Sequence, residues 1–375
     1  MKDVFITGLG AFLPGDPVDN GAMEEYLGLV FGKKSRHRAA ALRQNRIQNR
    51  HYALDKTGRP LHSSASMAAQ AIQAAIEASE ATPRDIGYLA ASATLGDGLV
   101  PGLASHIHAA LGWDQPVEIA NFSSVCASAL MALKGALLQL RGGEHSGAVV
   151  SGSEFSSRYF RPGQFEQVAS YRATGAVPAE ADFLRFTLSD GAGAALLQTR
   201  PNARQLSLKI QWIALQSFAH RFAPCMTGGM VSQQDDWRGW GDFGDPLAAV
   251  AAGALVLRQD FALLERMLPV WVAHYLELIE QGRIVPEKID HVCSHFSSHA
   301  LWDAMTALLR RAGAMIDESK WFTNLYTKGN TGTAAIFIIL EELYRSGKLQ
   351  RGQNILCHVP ESGRCLNGFM LLEVV

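Results

Sequence analysis

Three stretches of this chain carry residues with the makings of thiol chemistry. Cys126 lies in Asn121-Phe-Ser-Ser-Val-Cys-Ala-Ser-Ala-Leu-Met-Ala-Leu-Lys-Gly-Ala-Leu-Leu-Gln-Leu140. The run reads as the end of a strand, a tight turn, and a helix with almost no bulk in its first turn. At a helix N-terminus, unpaired N–H groups and the helix dipole favour a thiolate over a thiol. A free cysteine with a pKa of ~8.5 is only a few per cent ionised at pH 7, so a position that lowers it suits a nucleophile. The competing use is a small buried cysteine that lets a helix pack closely.

The second stretch is His291-Val-Cys-Ser-His-Phe-Ser-Ser-His299. If 291–295 is extended, His291, Cys293 and His295 share one face, and His299 follows at helical spacing. As ligands these would form a zinc cluster, but the spacing matches no standard zinc signature, so no metal is expected. The alternative is that His295 alone, at a strand's carboxyl end, faces a site, because crevices in α/β sheets lie outside those ends. The third stretch, Tyr326-Thr-Lys-Gly-Asn-Thr-Gly-Thr-Ala-Ala335, has the composition of a phosphate-cradling loop without P-loop order. It also reads as a capped helix start, in which the amide of Asn330 can donate to a developing oxyanion.

The elements that must position these residues alternate, which predicts an α/β architecture. Strands are expected at Val4–Thr7, Tyr88–Ser92, Ala148–Ser151, Ala194–Gln198, Leu206–Ala214, His291–Ser294, Asn354–His358 and Phe369–Val374. Helices are expected at Ser64–Glu80, Ala127–Arg141, Ala248–Glu280 with a break near Pro269, Ser298–Gly313 and Gly332–Ser346. Both halves repeat one order: strand, helix, a loop opening a small-residue helix, strand, and a glycine-bearing strand (Asp190-Gly-Ala-Gly-Ala-Ala-Leu-Leu, then Cys365-Leu-Asn-Gly-Phe-Met-Leu-Leu). This is a weak internal duplication with its boundary near Arg200–Gln205, giving halves 1–203 and 204–375. Duplication would aim both helix N-termini at one central site.

The 375 residues, 48% hydrophobic and 18% charged, suffice for two domains or one large duplicated one. A net charge of −1 gives no argument for bulk binding to nucleic acid or membrane. Five cysteines, an odd number with no CxxC pair, suit reduced thiols in a cytoplasmic protein. No signal peptide is visible, and the alanine-rich run Pro246–Leu257 is too short to span a bilayer.

Cys126 in Ser-Ser-Val-Cys-Ala-Ser-Ala-Leu, His295 opening its motif, and Asn330 in Lys-Gly-Asn-Thr-Gly-Thr-Ala-Ala resemble the three active-site motifs of ketoacyl-ACP synthase III enzymes of the thiolase superfamily. The resemblance runs the length of the chain, in order, and implies a thiolase-like duplicated fold with five αβαβα layers. Gly10-Ala-Phe-Leu-Pro-Gly-Asp-Pro-Val-Asp-Asn20 with Arg46-Ile-Gln-Asn-Arg-His-Tyr-Ala53 resembles the ketosynthase/cyclase branch that makes dialkylresorcinol or stilbene precursors. Two departures stand out. The usual His-x-Ala-Asn is here His295-Phe-Ser-Ser-His299, and the glycine-rich C-terminal loop is Pro360-Glu-Ser-Gly-Arg-Cys365 with one glycine. Both argue against the standard acetyl-CoA-primed reaction.

The resemblance implies that Cys126 takes an acyl group from a thioester and that its N–H, with that of Ser362 or Gly363, holds the oxyanion. His295 and Asn330 would hold the second thioester carbonyl while an enolate forms. Glu154, expected at a strand's carboxyl end, becomes a general base for a β-ketoacyl substrate if burial raises its pKa, and is otherwise a carboxylate paired with Arg158. The basic run Lys33-Lys-Ser-Arg-His-Arg38, continuing through Arg43, Arg46 and Arg50, is either a solvated helical face or a contact for carrier protein or pantetheine phosphate. The expected protein is a homodimeric condensing enzyme using acyl-CoA or acyl carrier protein as substrates, without a cofactor of its own. Its rivals are an acyltransferase passing the acyl group to oxygen or nitrogen, and a non-catalytic thiolase-fold partner subunit.

Overall fold

A computed structural model describes residues 2–233 and 236–375. The main sheet has ten strands: β1 Phe5–Phe12, β2 Tyr88–Ala93, β3 Glu118–Ser123, β4 Gly147–Glu154, β5 Gly191–Gln198, β6 Leu208–Ser217, β7 His291–Ser294, β8 Trp321–Phe322, β9 Asn354–Glu361 and β10 Leu366–Val374. The principal helices are α1 Ser64–Glu77, α2 Leu103–Leu111, α3 Ser128–Gly142, α4 Phe261–Glu280, α5 His299–Arg311 and α6 Ala335–Arg345.

The strand order is β8-β7-β9-β10-β6-β1-β5-β4-β2-β3. Read outward from the centre, the two wings are the same: β1, β5, β4, β2, β3 on one side and β6, β10, β9, β7, β8 on the other. The directions repeat too. β4 and β3 run parallel to β2, and β9 and β8 run parallel to β7, while β5 and β10 run antiparallel to their neighbours. The wings join through the short antiparallel pairing of Phe5 and Ile6 with Lys209 and Leu208.

Side-chain alternation builds the layers. In β2, Tyr88 and Ala90 face a central core, whereas Leu89 and Ala91 face the outer helices α1 and α2. In the other wing, Cys293 and Cys357 point to the same central core, and Val292 and Leu356 point outward to α4 and α5. The central core holds α3 and α6 between the wings, giving helix, sheet, helix, sheet, helix. This is the expected five-layered thiolase-like arrangement, and burial of both faces of β2, β4, β5 and β9 explains why those strands read as apolar runs. β1 lies against α1 at backbone distance: a Cβ at Gly8 or Gly10 would fall 2.1 Å from the carbonyl oxygen of Ala75 or Ala71. Bare backbone is the only surface that fits there.

Some expected bounds shift. The interruption placed at Pro269 lies elsewhere: Pro246–Ala251 is one helix, and α4 runs unbroken through Pro269. Asp260 caps α4 by accepting from the Leu263 N–H, so the new helix starts after the 252–260 segment. Pro269 is tolerated in its ninth position. The short strand β8 and the helices Arg38–Asn45 and Ala179–Arg185 carry too little periodicity to announce themselves. No helix among the described residues is long and apolar enough to cross a membrane.

Candidate active site

Cys126 occupies the turn between β3 and α3, buried, two residues before the first helical position. Asn330 occupies the equivalent place in the other wing, between β8 and α6, just before the turn Gly332–Ala334. The helix starts meet directly. Ser128 Oγ and Thr333 Oγ1 are 2.8 Å apart, and Thr333 Oγ1 is 3.1 Å from Ser92 Oγ at the end of β2.

One cavity, open at its mouth, is lined by Cys126, Glu154, Asn330 and Ser362. Its remaining wall is largely apolar, including Phe155, Tyr159, Leu184, Leu188, Met226 and Leu257. A second groove shares Phe183 and Leu264 with it and opens past Ala40, Ala41 and Gln44 of the helix Arg38–Asn45 and past Ala300 and Ala304 of α5. The Phe183 and Phe261 rings meet edge to face, 5.3 Å apart, at the wall the two spaces have in common.

The amide of Asn330 is oriented. Its Oδ1 accepts from the Gly332 N–H at 2.9 Å, which turns the Nδ2 donor the other way. His295 follows the last residue of β7, and its backbone N–H donates to the His358 carbonyl. The ring is buried with Nε2 unpartnered, and burial lowers its pKa to about 4, so it is neutral at pH 7. Ser297, two residues on, lines the cavity.

Glu154 ends β4, fully buried. Its Oε1 accepts from the Thr94 hydroxyl at 2.5 Å, the Thr94 N–H at 3.1 Å and the Thr333 N–H at 3.2 Å. Desolvation outweighs these bonds and raises its pKa to about 7. The ion pair considered for it goes elsewhere: Arg158 donates to Asp97 at 3.1 Å and to the Gly96 carbonyl. Gly332 makes room for the carboxylate, because with φ +55° a Cβ there would fall 2.8 Å from Glu154 Oε1. Asp190 pins the chain beyond Glu154 by accepting from the N–H groups of Ser157 and Ala53.

Two expectations are corrected. The helix N-terminus does not lower the Cys126 pKa. Burial raises it well above the ordinary cysteine value, and the nearby carboxyls of Glu361 and Glu154 push the same way. The Ala127 N–H, which would have faced a thiolate, donates instead to Glu361 Oε2 at 3.0 Å. Arg50 is not a surface cation: it has no exposed area and donates to Asn20 Oδ1 and to the Phe186 carbonyl. Arg46 is exposed at the end of the helix Arg38–Asn45.

The residues of the considered zinc cluster go to different partners. His291 Nε2 lies 3.2 Å from Gln353 Oε1, Cys293 is in the central core, and His299 meets Tyr326 OH and Asp303. Ser362 Oγ donates to Gln259 Oε1, and Gly363 passes against Val125. Sequence reading missed Glu361, which is buried among the residues of the Cys126 turn. Its signal was a lone acid at the end of the run Ile355–Pro360, apolar except for His358.

Residues 279–364 match the family model for the C-terminal part of 3-oxoacyl-[acyl-carrier-protein] synthase III. Among solved structures, AbyA1, a tetronic acid condensing enzyme, superposes with a TM-score of 0.77 at 23% identity, covering 99% of both chains. The 3-oxoacyl-[acyl-carrier-protein] synthase III of Aquifex aeolicus VF5 gives 0.71 at 19%, again over 99% of both chains. A cysteine-to-serine variant of Xanthomonas campestris OleA, with bound lauric acid and lauroyl-CoA, gives 0.75 at 17% over 99% of each. The chain has the thiolase-like fold of these proteins.

Proposed function

We propose that this chain is a ketosynthase of the ketoacyl-ACP synthase III type, which joins a Cys126-bound acyl group to a second acyl or β-ketoacyl thioester by Claisen condensation. The observation that carries this reading is the one apolar-walled cavity shared by Cys126, Asn330, Glu154 and Ser362, with a second groove that has Phe183 and Leu264 in common with it. The repeated strand order supports treating 1–203 and 204–375 as the two halves that meet at this cavity.

An acyl thioester of CoA or carrier protein enters along the groove, with Arg46 at the surface beside it. Cys126 Sγ attacks the carbonyl. The acyl group passes to sulfur, and the carrier leaves as its thiol with the proton that Cys126 gave up. The second thioester carbonyl then accepts from Asn330 Nδ2 and from His295 Nε2–H of the neutral ring. Its α-carbon becomes an enolate by loss of CO2, or by giving a proton to Glu154, whose pKa of about 7 suits a base at neutral pH. The enolate carbon attacks the acyl-cysteine. The Cys126 and Ser362 N–H groups stabilise the oxyanion, and collapse releases the Cys126 thiolate with a new C–C bond. With a β-ketoacyl partner and an α,β-unsaturated acyl group on Cys126, the product can lose a second proton from its γ-carbon and add through that carbon to the β-carbon of the acyl double bond, whose α-carbon takes up the proton. This closes a cyclohexanedione ring with the thioester still attached, as in the dialkylresorcinol-type branch.

The exposed edge strand β3 supports a homodimer. It carries half-exposed Ile119, with Leu99 and Val100 exposed on the neighbouring loop and Leu138 on α3. A second reading, transfer of the acyl group to oxygen, draws on the AbyA1 match, because a tetronic acid contains a ring C–O bond. One experiment separates these readings. Intact-mass analysis after incubation with acyl thioesters gives an acyl adduct on Cys126, and product analysis with β-ketoacyl against hydroxyacyl partners gives a carbocycle or a lactone. Full turnover by Cys126→Ala overturns both.

A further inference from the structure

β4 and β9 are equivalent eight-residue strands of the two wings, and each ends in a buried glutamate, Glu154 and Glu361. Each carboxylate crosses to the other wing and accepts a backbone N–H at the start of its central helix: Glu154 from Thr333 before α6, and Glu361 from Ala127 before α3. The exchange is reciprocal, but only one of the two turns it reaches carries a nucleophile.

Glu361 holds that turn at two points. Oε1 accepts from Ser124 Oγ at 2.6 Å and Oε2 from the Ala127 N–H at 3.0 Å. Arg364, three residues on, donates to the Phe222 carbonyl instead, so it does not neutralise the group. Gly363 shows how tight the contact is: a Cβ there would fall 2.9 Å from both Glu361 Oε1 and Val125 Cγ2. The backbone beside Ser362 therefore rests on the clamp and on the nucleophile turn together. With the Ala127 N–H occupied, the Cys126 N–H is a donor of this turn free to face an oxyanion.

We propose that Glu361 is the positioning residue of the nucleophile turn: its carboxylate fixes residues 124–127 from the C-terminal wing, sets Cys126 in register with Ser362, and presents a negative charge to the thiol. The charged or titratable groups facing Cys126 are then Glu361 from β9 and Glu154 from β4, with His295 neutral. Burial first, and then the Glu361 and Glu154 carboxyls, keep the resting nucleophile a thiol, which limits its reaction with adventitious electrophiles. The inference rests on Cys126 being the acylated residue.

Glu361→Gln separates charge from shape, because its amide can accept from Ala127 with oxygen and donate to Ser124 with nitrogen. Iodoacetamide alkylation of Cys126, followed by intact mass across pH 6–10, is compared for wild type, Glu361→Gln and Glu361→Ala, beside acylation rates with an acyl-CoA. Glu361→Gln is expected to reach half-maximal alkylation at a lower pH than wild type and to keep its acylation rate within about threefold. Glu361→Ala is expected to acylate about 10²-fold more slowly through misplacement. An unchanged alkylation profile in Glu361→Gln, or wild-type acylation in Glu361→Ala, overturns the inference. If Glu361→Ala does not fold, the Glu361→Gln profile decides. If wild type alkylates at Cys126 but never takes an acyl group, the functional reading fails and the clamp does not.

Discussion

Ser128 Oγ lies 2.8 Å from Thr333 Oγ1, so the first turns of the two central helices are joined hydroxyl to hydroxyl in the core. Ser128 also reaches the Val125 carbonyl, and Ser92 reaches the Ser151 carbonyl and Thr333. The contact ties the Cys126 turn to the Asn330 turn. Thr333→Val keeps the shape and removes the shared partner, so it is expected to destabilise the fold by about 1–2 kcal/mol, measured by urea denaturation. A larger relative loss of condensation than of Cys126 acylation is expected beside it, because the two turns would lose their common register.

Replacement of Asn330 or His295 by alanine should separate the two half-reactions. Acyl loading of Cys126 is expected to stay within a few-fold of wild type, while condensation falls about 10²–10³-fold, as for other oxyanion donors. Single-turnover loading followed by mass, and steady-state product formation, give the two numbers. Equal loss in both steps would remove the assigned roles.

Glu154 makes a pH prediction with a definite sign. Its folded pKa of about 7 lies above the ordinary 4.5, so the folded state binds more protons than the unfolded state between those values. Its contribution is therefore full below about pH 4.5 and is lost as pH rises through 7, by about 3 kcal/mol in all. His295, lowered to about 4, works oppositely, losing stability as pH falls from 6.5. Comparing Glu154→Gln with wild type isolates the carboxyl. The stability difference between the two is expected to change by about 3 kcal/mol from pH 4.5 to 8 in denaturant titrations. The same variant should load Cys126 but lose steps that require proton removal from carbon.

The groove shared through Phe183 and Leu264 predicts a steric effect. Ala304→Trp fills its outer part, where α5 faces the helix Arg38–Asn45. Acylation of Cys126 by an acyl carrier protein or acyl-CoA should fall at least about tenfold, since misplacing a reacting group by ~1 Å can already cost ~10². Alkylation by iodoacetamide, which is small enough to pass, should hold its wild-type rate.

Much of the arrangement could be read along the chain. The types and order of Cys126, His295 and Asn330 were visible, as were the strand cores, because buried β-strands leave unbroken apolar runs. So was the repeat, since each wing needs the same succession of small-residue turn and packed helix. The ends of strands and the short helices of the 20–60 and 160–185 segments were not visible, because local signals there are weak and packing sets the bounds.

What sequence could not determine is charge. Placing Cys126 at a helix start suggested a lowered pKa, but that depends on which groups arrive in space. Glu361, 235 positions away in the chain, takes the helix N–H and brings a negative charge to the thiol. Arg50 belongs to a basic run in sequence and to a dry interior in the fold. Glu154 had an arginine four residues on, but its carboxylate meets Thr94 and Thr333 instead. Residue type and order determined the candidate chemistry. Burial and long-range partners, which only tertiary packing creates, decided the protonation state in which each group waits.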